Sequence, residues 1–226
     1  MVSRFGQDGP MTTTSCLRSA SAQDALDRDG YVVLPGLARD DVEALRAIYA
    51  RTHDGVGPGA PRPDAEPWHQ DRAPGPEFAN DLEGPFDRRD RIEQELAPFW
   101  SRYLATAFVG HRTIVSTFLV KWPGQVGHLP LHQDPTFVDE ETSRAVTLWV
   151  ALDDADPELG NGPLYVVPGS HRLADELRGT LTSSTFLAWI EEVWPRAVPV
   201  PVRAGDAVVL DARTVHGSPP NTGSRP

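Results

Sequence analysis

The sequence predicts a mainly β fold with flanking helices, an antiparallel sandwich or barrel. Three observations carry that prediction. From residue 113 onward, short β-rich runs alternate with Gly, Pro, Asn and Asp turn signals. Amphipathic helical spacing falls mostly in the first half. Neither an internal repeat nor a parallel βαβ alternation is visible. The 226 residues, 39 % hydrophobic and 23 % charged, suffice for one large domain with its own core.

Residues 1–20, polar and small with the run Thr12-Thr13-Thr14-Ser15, read as a disordered leader, and Met11 is a second candidate start. The domain is expected over residues 21–226. Ser21 is a plausible cap for a short helix ending at Gly30. Tyr31-Val32-Val33-Leu34 reads as a strand stopped by Pro35-Gly36. Asp40 then caps a helix over 41–52, with Val42, Leu45, Tyr49 and Thr52 on one face. Residues 53–88 hold 12 Gly or Pro in 36 positions, twice and more the density of the rest, and read as a long irregular loop. A helix carrying Ile92, Leu96 and Phe99 follows, bent or broken at Pro98.

The β half begins with 114–122, ended by Pro123-Gly124. Residues 145–152 form the next strand, and 164–167 the one after, between Asn161-Gly162 and Pro168-Gly169. Val198-Pro199-Val200-Pro201-Val202 reads as an edge strand, because proline cannot donate to a ladder. Ala207-Val208-Val209-Leu210 follows the Gly205-Asp206 turn. Before that edge strand, residues 174–197 read as an insert, a candidate lid with a helical stretch over 186–193.

Charge and cysteine count narrow the partners. Lys and Arg number 21 against 32 Asp and Glu, a net charge of −11 that disfavours nucleic acid and anionic membranes. Cys16 alone excludes an internal disulfide and a cysteine-based zinc cluster. Without an apolar span or a secretory h-region, the expected setting is cytoplasmic and the expected partner a small molecule.

The chemistry concentrates at Leu131-His132-Gln133-Asp134. On a strand, positions i and i+2 share a face, so His132 and Asp134 present an imidazole and a carboxylate together. His216, just past the strand at 207–210, offers a third ligand. Two His and one carboxylate form the facial triad of non-haem Fe(II) oxygenases, which leaves open positions for a chelating co-substrate and O₂. His-x-Asp alone is a weak signal: Trp68-His69-Gln70-Asp71 repeats it inside the irregular loop, where no strand forces a common face. His69 reads as a solvated loop residue and His128 as a spare polar one. His171 and Arg172 read as structural loop residues, and Asp153, Asp154 and Asp156 as a solvated acidic turn without calcium spacing.

The wider context is an ordered series. It runs from 31–37, through His132-Gln133-Asp134, residues 147–154 and residues 161–172, to Gly205-Asp206 and His216-Gly217-Ser218. This series resembles the phytanoyl-CoA dioxygenase family of Fe(II)/2-oxoglutarate oxygenases. The resemblance implies a double-stranded β-helix (jelly-roll, cupin-like) core. It also implies iron held by His132, Asp134 and His216, with 2-oxoglutarate and O₂ as co-substrates. Succinate and CO₂ would be released as a C–H bond of a small molecule is hydroxylated. A tailoring role in natural-product biosynthesis fits the composition, with an amino acid or acyl derivative as other substrate classes. Asp134 disfavours halogenation, since halogenating relatives lack that carboxylate.

One departure stands out. The family anchors the far carboxylate of 2-oxoglutarate with an Arg shortly after the second His, on a last strand that is not evident here. Arg225 is the one basic residue in that stretch, so truncation of a longer chain or a weakened anchor is expected. By the same resemblance Lys121, Thr147 and Trp149 are candidates to line the co-substrate. Lys121 reads equally as an exposed strand end, and the other two as barrel core. The competing reading of the whole chain is a non-catalytic or 2-oxoglutarate-independent metal protein, a hydrolase or isomerase on the same barrel.

Overall fold

The computed structural model describes residues 15–52, 77–79, 86–121, 123, 129–173, 178 and 190–224. Helix α1 (Ala20–Asp29) is capped by Ser19, whose hydroxyl accepts from the Ala22 N–H, and not by Ser21 as the sequence suggests. Gly30 ends it at φ +80°, a conformation that favours glycine. Order extends into the stretch read as a leader, because Leu17 is buried with Leu26, Phe108 and Val209 and bridges Phe108. Strand β1 (Tyr31–Leu34) and helix α2 (Arg39–Thr52) follow, the helix starting just before Asp40.

Most of 53–88 lies outside the described residues, His69 and Asp71 included. Within that stretch a strand, β2 (Glu77–Ala79), pairs with β3 (Phe118–Val120), and helix α3 (Phe86–Ala107) has already begun, so the irregular loop is shorter than predicted. Pro98 sits inside α3 without ending it. The carbonyl that loses its donor belongs to Gln94, which is exposed and can turn to water. Meanwhile Ile92, Leu96 and Phe99 hold the helix against Leu45 and Ile48 of α2. Burying a side chain the size of Ile92 contributes about 1.5–3 kcal/mol.

The strand predicted over 114–122 contracts to β3. Ahead of it the Ser116 N–H donates to the Glu93 carboxylate at 2.9 Å instead of to a ladder. The remaining strands are β4 (Leu129–His132), β5 (Val146–Val150), β6 (Tyr165–Val166), β7 (Val198–Pro199), β8 (Ala207–Asp211) and β9 (His216–Ser218), with a four-residue helix α4 (Ile190–Val193) before β7. The rest of the predicted helical stretch at 186–189 lies outside the described residues.

These strands form two antiparallel sheets, ordered β1-β8-β5 and β4-β9-β6-β7, besides the β2-β3 pair. Strand β8 explains the layering. All five of its residues are buried, and their alternation faces two cores. Val208 and Leu210 pack with Leu164 and Val166 between the sheets. Val209 points the other way, under α1 and Phe108. Two sheets face to face with helices outside give the double-stranded β-helix layout. Strand β7 stands at an edge, as Pro199 requires. Where β1 leaves the sheet, the Leu37 N–H donates to the Gly205 carbonyl at 2.7 Å, drawing Gly36 against the turn before β8.

A buried charge cluster closes one end of the sheet. Arg144 pairs with Asp27 of α1 and with Asp211 at the end of β8, and Arg213 also bonds Asp211. Burial pushes the Asp211 carboxyl up, but hydrogen bonds and charge from Arg213, aided by the charge of Arg144, outweigh it and hold the group below its usual value. Among the described residues no helix is long and apolar enough to cross a membrane.

Candidate metal centre

Strands β4 and β9 pair so that His132 stands opposite His216. Their ring centroids lie 4.3 Å apart. Asp134 follows β4 directly, outside the strand proper, and its N–H donates to the Ala212 carbonyl at 2.9 Å. This bond returns the carboxylate to the face that carries both imidazoles. Asp134 Oδ1 lies 3.8 Å from His132 Nε2 and 3.7 Å from His216 Nε2. One donor atom from each residue falls within 4.8 Å of the others.

Hydrogen bonding on the far side of each ring decides what those atoms offer. His132 Nδ1 is 2.9 Å from the Pro130 carbonyl, and His216 Nδ1 is 2.9 Å from the Thr214 carbonyl. A carbonyl only accepts, so each Nδ1 carries a proton, and the neutral form of each ring turns a bare Nε2 lone pair inward. Burial, with the neighbouring His216 adding to it, pushes His132 down to about 4, so that ring is neutral at pH 7. With both rings neutral, two nitrogen lone pairs and a carboxylate oxygen face one another. Such a set repels itself unless a cation sits at its centre. The set has no thiolate, and two imidazoles with one carboxylate fit a divalent iron that keeps open positions.

The Thr147 hydroxyl donates to Asp134 Oδ2 at 2.6 Å. It therefore orients the carboxylate. Replacing it by valine keeps the shape and removes the bond. Thr147→Val is expected to weaken divalent metal binding about tenfold, read by Mn(II) electron paramagnetic resonance titration; an unchanged affinity would count against this role.

The other expected co-substrate residues fare differently. Trp149 packs against the core of Ala151, Leu164, Val166 and Val208, the barrel-core alternative. Lys121 is not an exposed strand end. Its amine is half-buried, donates to the Pro219 carbonyl, and is pushed down to about 8 by burial. Asn221, itself buried, donates to the Lys121 carbonyl at 2.7 Å, tying the stretch after β9 to the end of β3. Arg225 and His128 lie outside the described residues. His171 is buried and structural, its Nε2 against the Asp27 carbonyl at 3.1 Å. Asp153 pairs with Arg46, and Asp156 caps the turn at 157–159, as a solvated acidic turn would.

Sequence reasoning missed Arg178. This residue, in the insert, places Nε 2.7 Å from the main-chain carbonyl of Asp134. A lone arginine 44 positions downstream carries no spacing signal that would reveal such a contact.

Comparison with known proteins agrees with this architecture. A family model described as phytanoyl-CoA dioxygenase (PhyH) matches residues 26–226. The phytanoyl-CoA dioxygenase domain-containing protein 1 of Danio rerio is 36 % identical over 115 residues, 47 % of this chain and 39 % of that protein. The match thus spans well under half of that relative's length. Among solved structures, the non-haem alpha-ketoglutarate-dependent carbocyclase SnoK from nogalamycin biosynthesis is similar at 26 % identity and TM-score 0.60, covering 91 % of this chain and 79 % of that one. AviO1 from Streptomyces viridochromogenes Tue57 is 30 % identical at TM-score 0.55, covering 90 % and 88 %.

Proposed function

Because the chain belongs to the phytanoyl-CoA dioxygenase family, we propose that it is an Fe(II)- and 2-oxoglutarate-dependent oxygenase that hydroxylates a C–H bond of a small molecule. The observation that carries the reading is the convergence of His132 Nε2, His216 Nε2 and Asp134 Oδ1, three atoms placed to ligate one metal ion. Iron(II) bound there with 2-oxoglutarate supplies O₂-dependent oxidation, coupling release of succinate and CO₂ to attack on the substrate.

The protein's own part is to hold and orient. The Pro130 and Thr214 carbonyls lock both imidazoles in the tautomer that offers Nε2. Thr147 turns one carboxylate oxygen away so that the other faces the centre. Lys121 has no carboxylate partner among the described residues, and a half-buried cation in that condition is a seat for an anion. Its acceptor, Pro219, comes three residues after His216, about 10 Å of extended chain. We assign Lys121, together with Arg225, to the free carboxylate of 2-oxoglutarate. The net charge of −11 disfavours a polyanionic thioester, and a natural-product scaffold is the substrate class we favour.

Lys121→Met is expected to weaken 2-oxoglutarate binding roughly tenfold to a hundredfold while leaving Co(II) affinity unchanged. The protonated amine is the form that binds an anion, so wild-type affinity for 2-oxoglutarate is expected to fall as pH rises through about 8 and beyond. Calorimetric titrations between pH 6.5 and 9.5 check both, and a flat profile in the wild type removes Lys121 from the role. The function itself is tested by anaerobic titration with Fe(II) and then 2-oxoglutarate, following the metal-to-ligand charge-transfer band, and by succinate formation once O₂ is admitted. Iron that binds without a band or succinate would overturn the oxygenase reading in favour of a hydrolase or isomerase on this barrel.

A further inference from the structure

We infer that Arg178 is a positioning residue for the metal centre, acting on the ligand Asp134 through its main chain, with Glu140 as the partner that aims it. This rests on the reading of His132, Asp134 and His216 as a metal site.

The geometry begins with what Asp134 needs. Pro135 follows it, which pushes Asp134 away from helical backbone and leaves the next position without an N–H. Asp134 lies past the end of β4, where its carbonyl has no ladder partner, and Arg178 Nε donates to it at 2.7 Å. The two terminal nitrogens of the same guanidinium bond the two oxygens of Glu140, a fork matched to a carboxylate. The Arg178 main chain is held as well: its N–H donates to Thr136 Oγ1 and its carbonyl accepts from the Thr136 N–H, both at 3.0 Å. Only 8 % of the Arg178 side chain is exposed, so the clamp works where water competes little.

Asp134 is then gripped at three atoms: its N–H by Ala212, its carboxylate by Thr147 and its carbonyl by Arg178. Removing the last grip frees rotation about the bonds that aim Oδ1. The pairing with Glu140 also matters electrostatically. It neutralises the guanidinium beside the ligand, so the cation steadies Asp134 without competing with a metal ion for its charge. A lysine in its place keeps the charge but cannot make the carbonyl bond and the forked pair together.

The test uses the full chain, Co(II) as the probe ion followed by visible absorption, and melting of the metal-free protein. Arg178→Gln is expected to raise the Co(II) dissociation constant about tenfold or more. Arg178→Lys should fall between it and the wild type, and Glu140→Gln should raise the constant by less than Arg178→Gln. The double variant should be no weaker than Arg178→Gln alone, because both changes act on one contact. Metal-free melting of Arg178→Lys should stay within about 2 °C of the wild type. Unchanged Co(II) affinity in Arg178→Gln would overturn the inference, as would affinity that falls only in step with metal-free stability. A wild-type chain that binds no Co(II) overturns the metal reading, and this inference with it.

Discussion

Asp134→Ala is expected to lower Fe(II)-dependent turnover of 2-oxoglutarate by more than about 100-fold, beyond the 10- to 100-fold typical of losing a group that merely supports a ligand. The reasoning is one of charge and count. Asp134 is the one anion in the donor set, and without it two neutral imidazoles must hold a divalent ion alone. The substitution also strands the Thr147 hydroxyl, which loses its acceptor. Succinate release and Co(II) binding should fall together, while the metal-free protein melts close to the wild type, since His132 and His216 remain paired across β4 and β9. An alanine variant that keeps a tenth of the activity would show that the carboxylate is not a ligand.

The largest expected loss of stability is at Gly36. A methyl group added there would lie 1.3 Å from the Gly205 carbonyl oxygen and 2.0 Å from its carbon. Both are backbone atoms of the turn that launches β8, so neither can swing aside as a side-chain end could. Gly36→Ala is therefore expected to cost more than about 4 kcal/mol, close to the whole stability of many domains. Urea denaturation, or loss of soluble protein on expression, is the readout. Gly110→Ala is the matching control: it also takes on a methyl group, at φ +58° but with no atom within 4 Å, and should cost about 1–3 kcal/mol through backbone strain alone. If the two variants unfold at the same urea concentration, the close approach of residues 36 and 205 is not what holds that corner.

How far the sequence could be read depended on how local each signal was. Strands β5 and β8 were legible because apolar β-branched runs bounded by turn residues leave little choice. The convergence of the three side chains was legible because His132 and Asp134 are two apart and His216 falls in a second recognisable segment. The alternating-face argument reached the convergent pair by a slightly wrong route, since Asp134 lies past the end of β4 and is turned inward by the Ala212 carbonyl. Pro98 misled, because a proline's cost in a helix depends on whether its abandoned carbonyl meets water, and that is a tertiary fact. The first four residues of the strand predicted at 114 failed for want of a neighbour to pair with. Arg178, and the pairing of Arg144 with Asp27 and Asp211, were invisible because each partner is brought in from a distant part of the chain, with no periodicity to announce it.

The strand order has a consequence for how the chain reaches this state. β8 is the middle strand of one sheet, and β9 is an inner strand of the other, between β4 and β6. Tyr31 waits for Leu210, and His132 waits for His216. During synthesis β1, β4, β5 and β6 therefore emerge with open hydrogen-bonding edges and no interior neighbour until residues 207–218 leave the ribosome. The two larger sheets cannot build vectorially from the first strand, and each is completed only when this later segment arrives, with long loops to close. Until then the unpaired edges are the segment most exposed to wrong partners, and holding chaperones would act there.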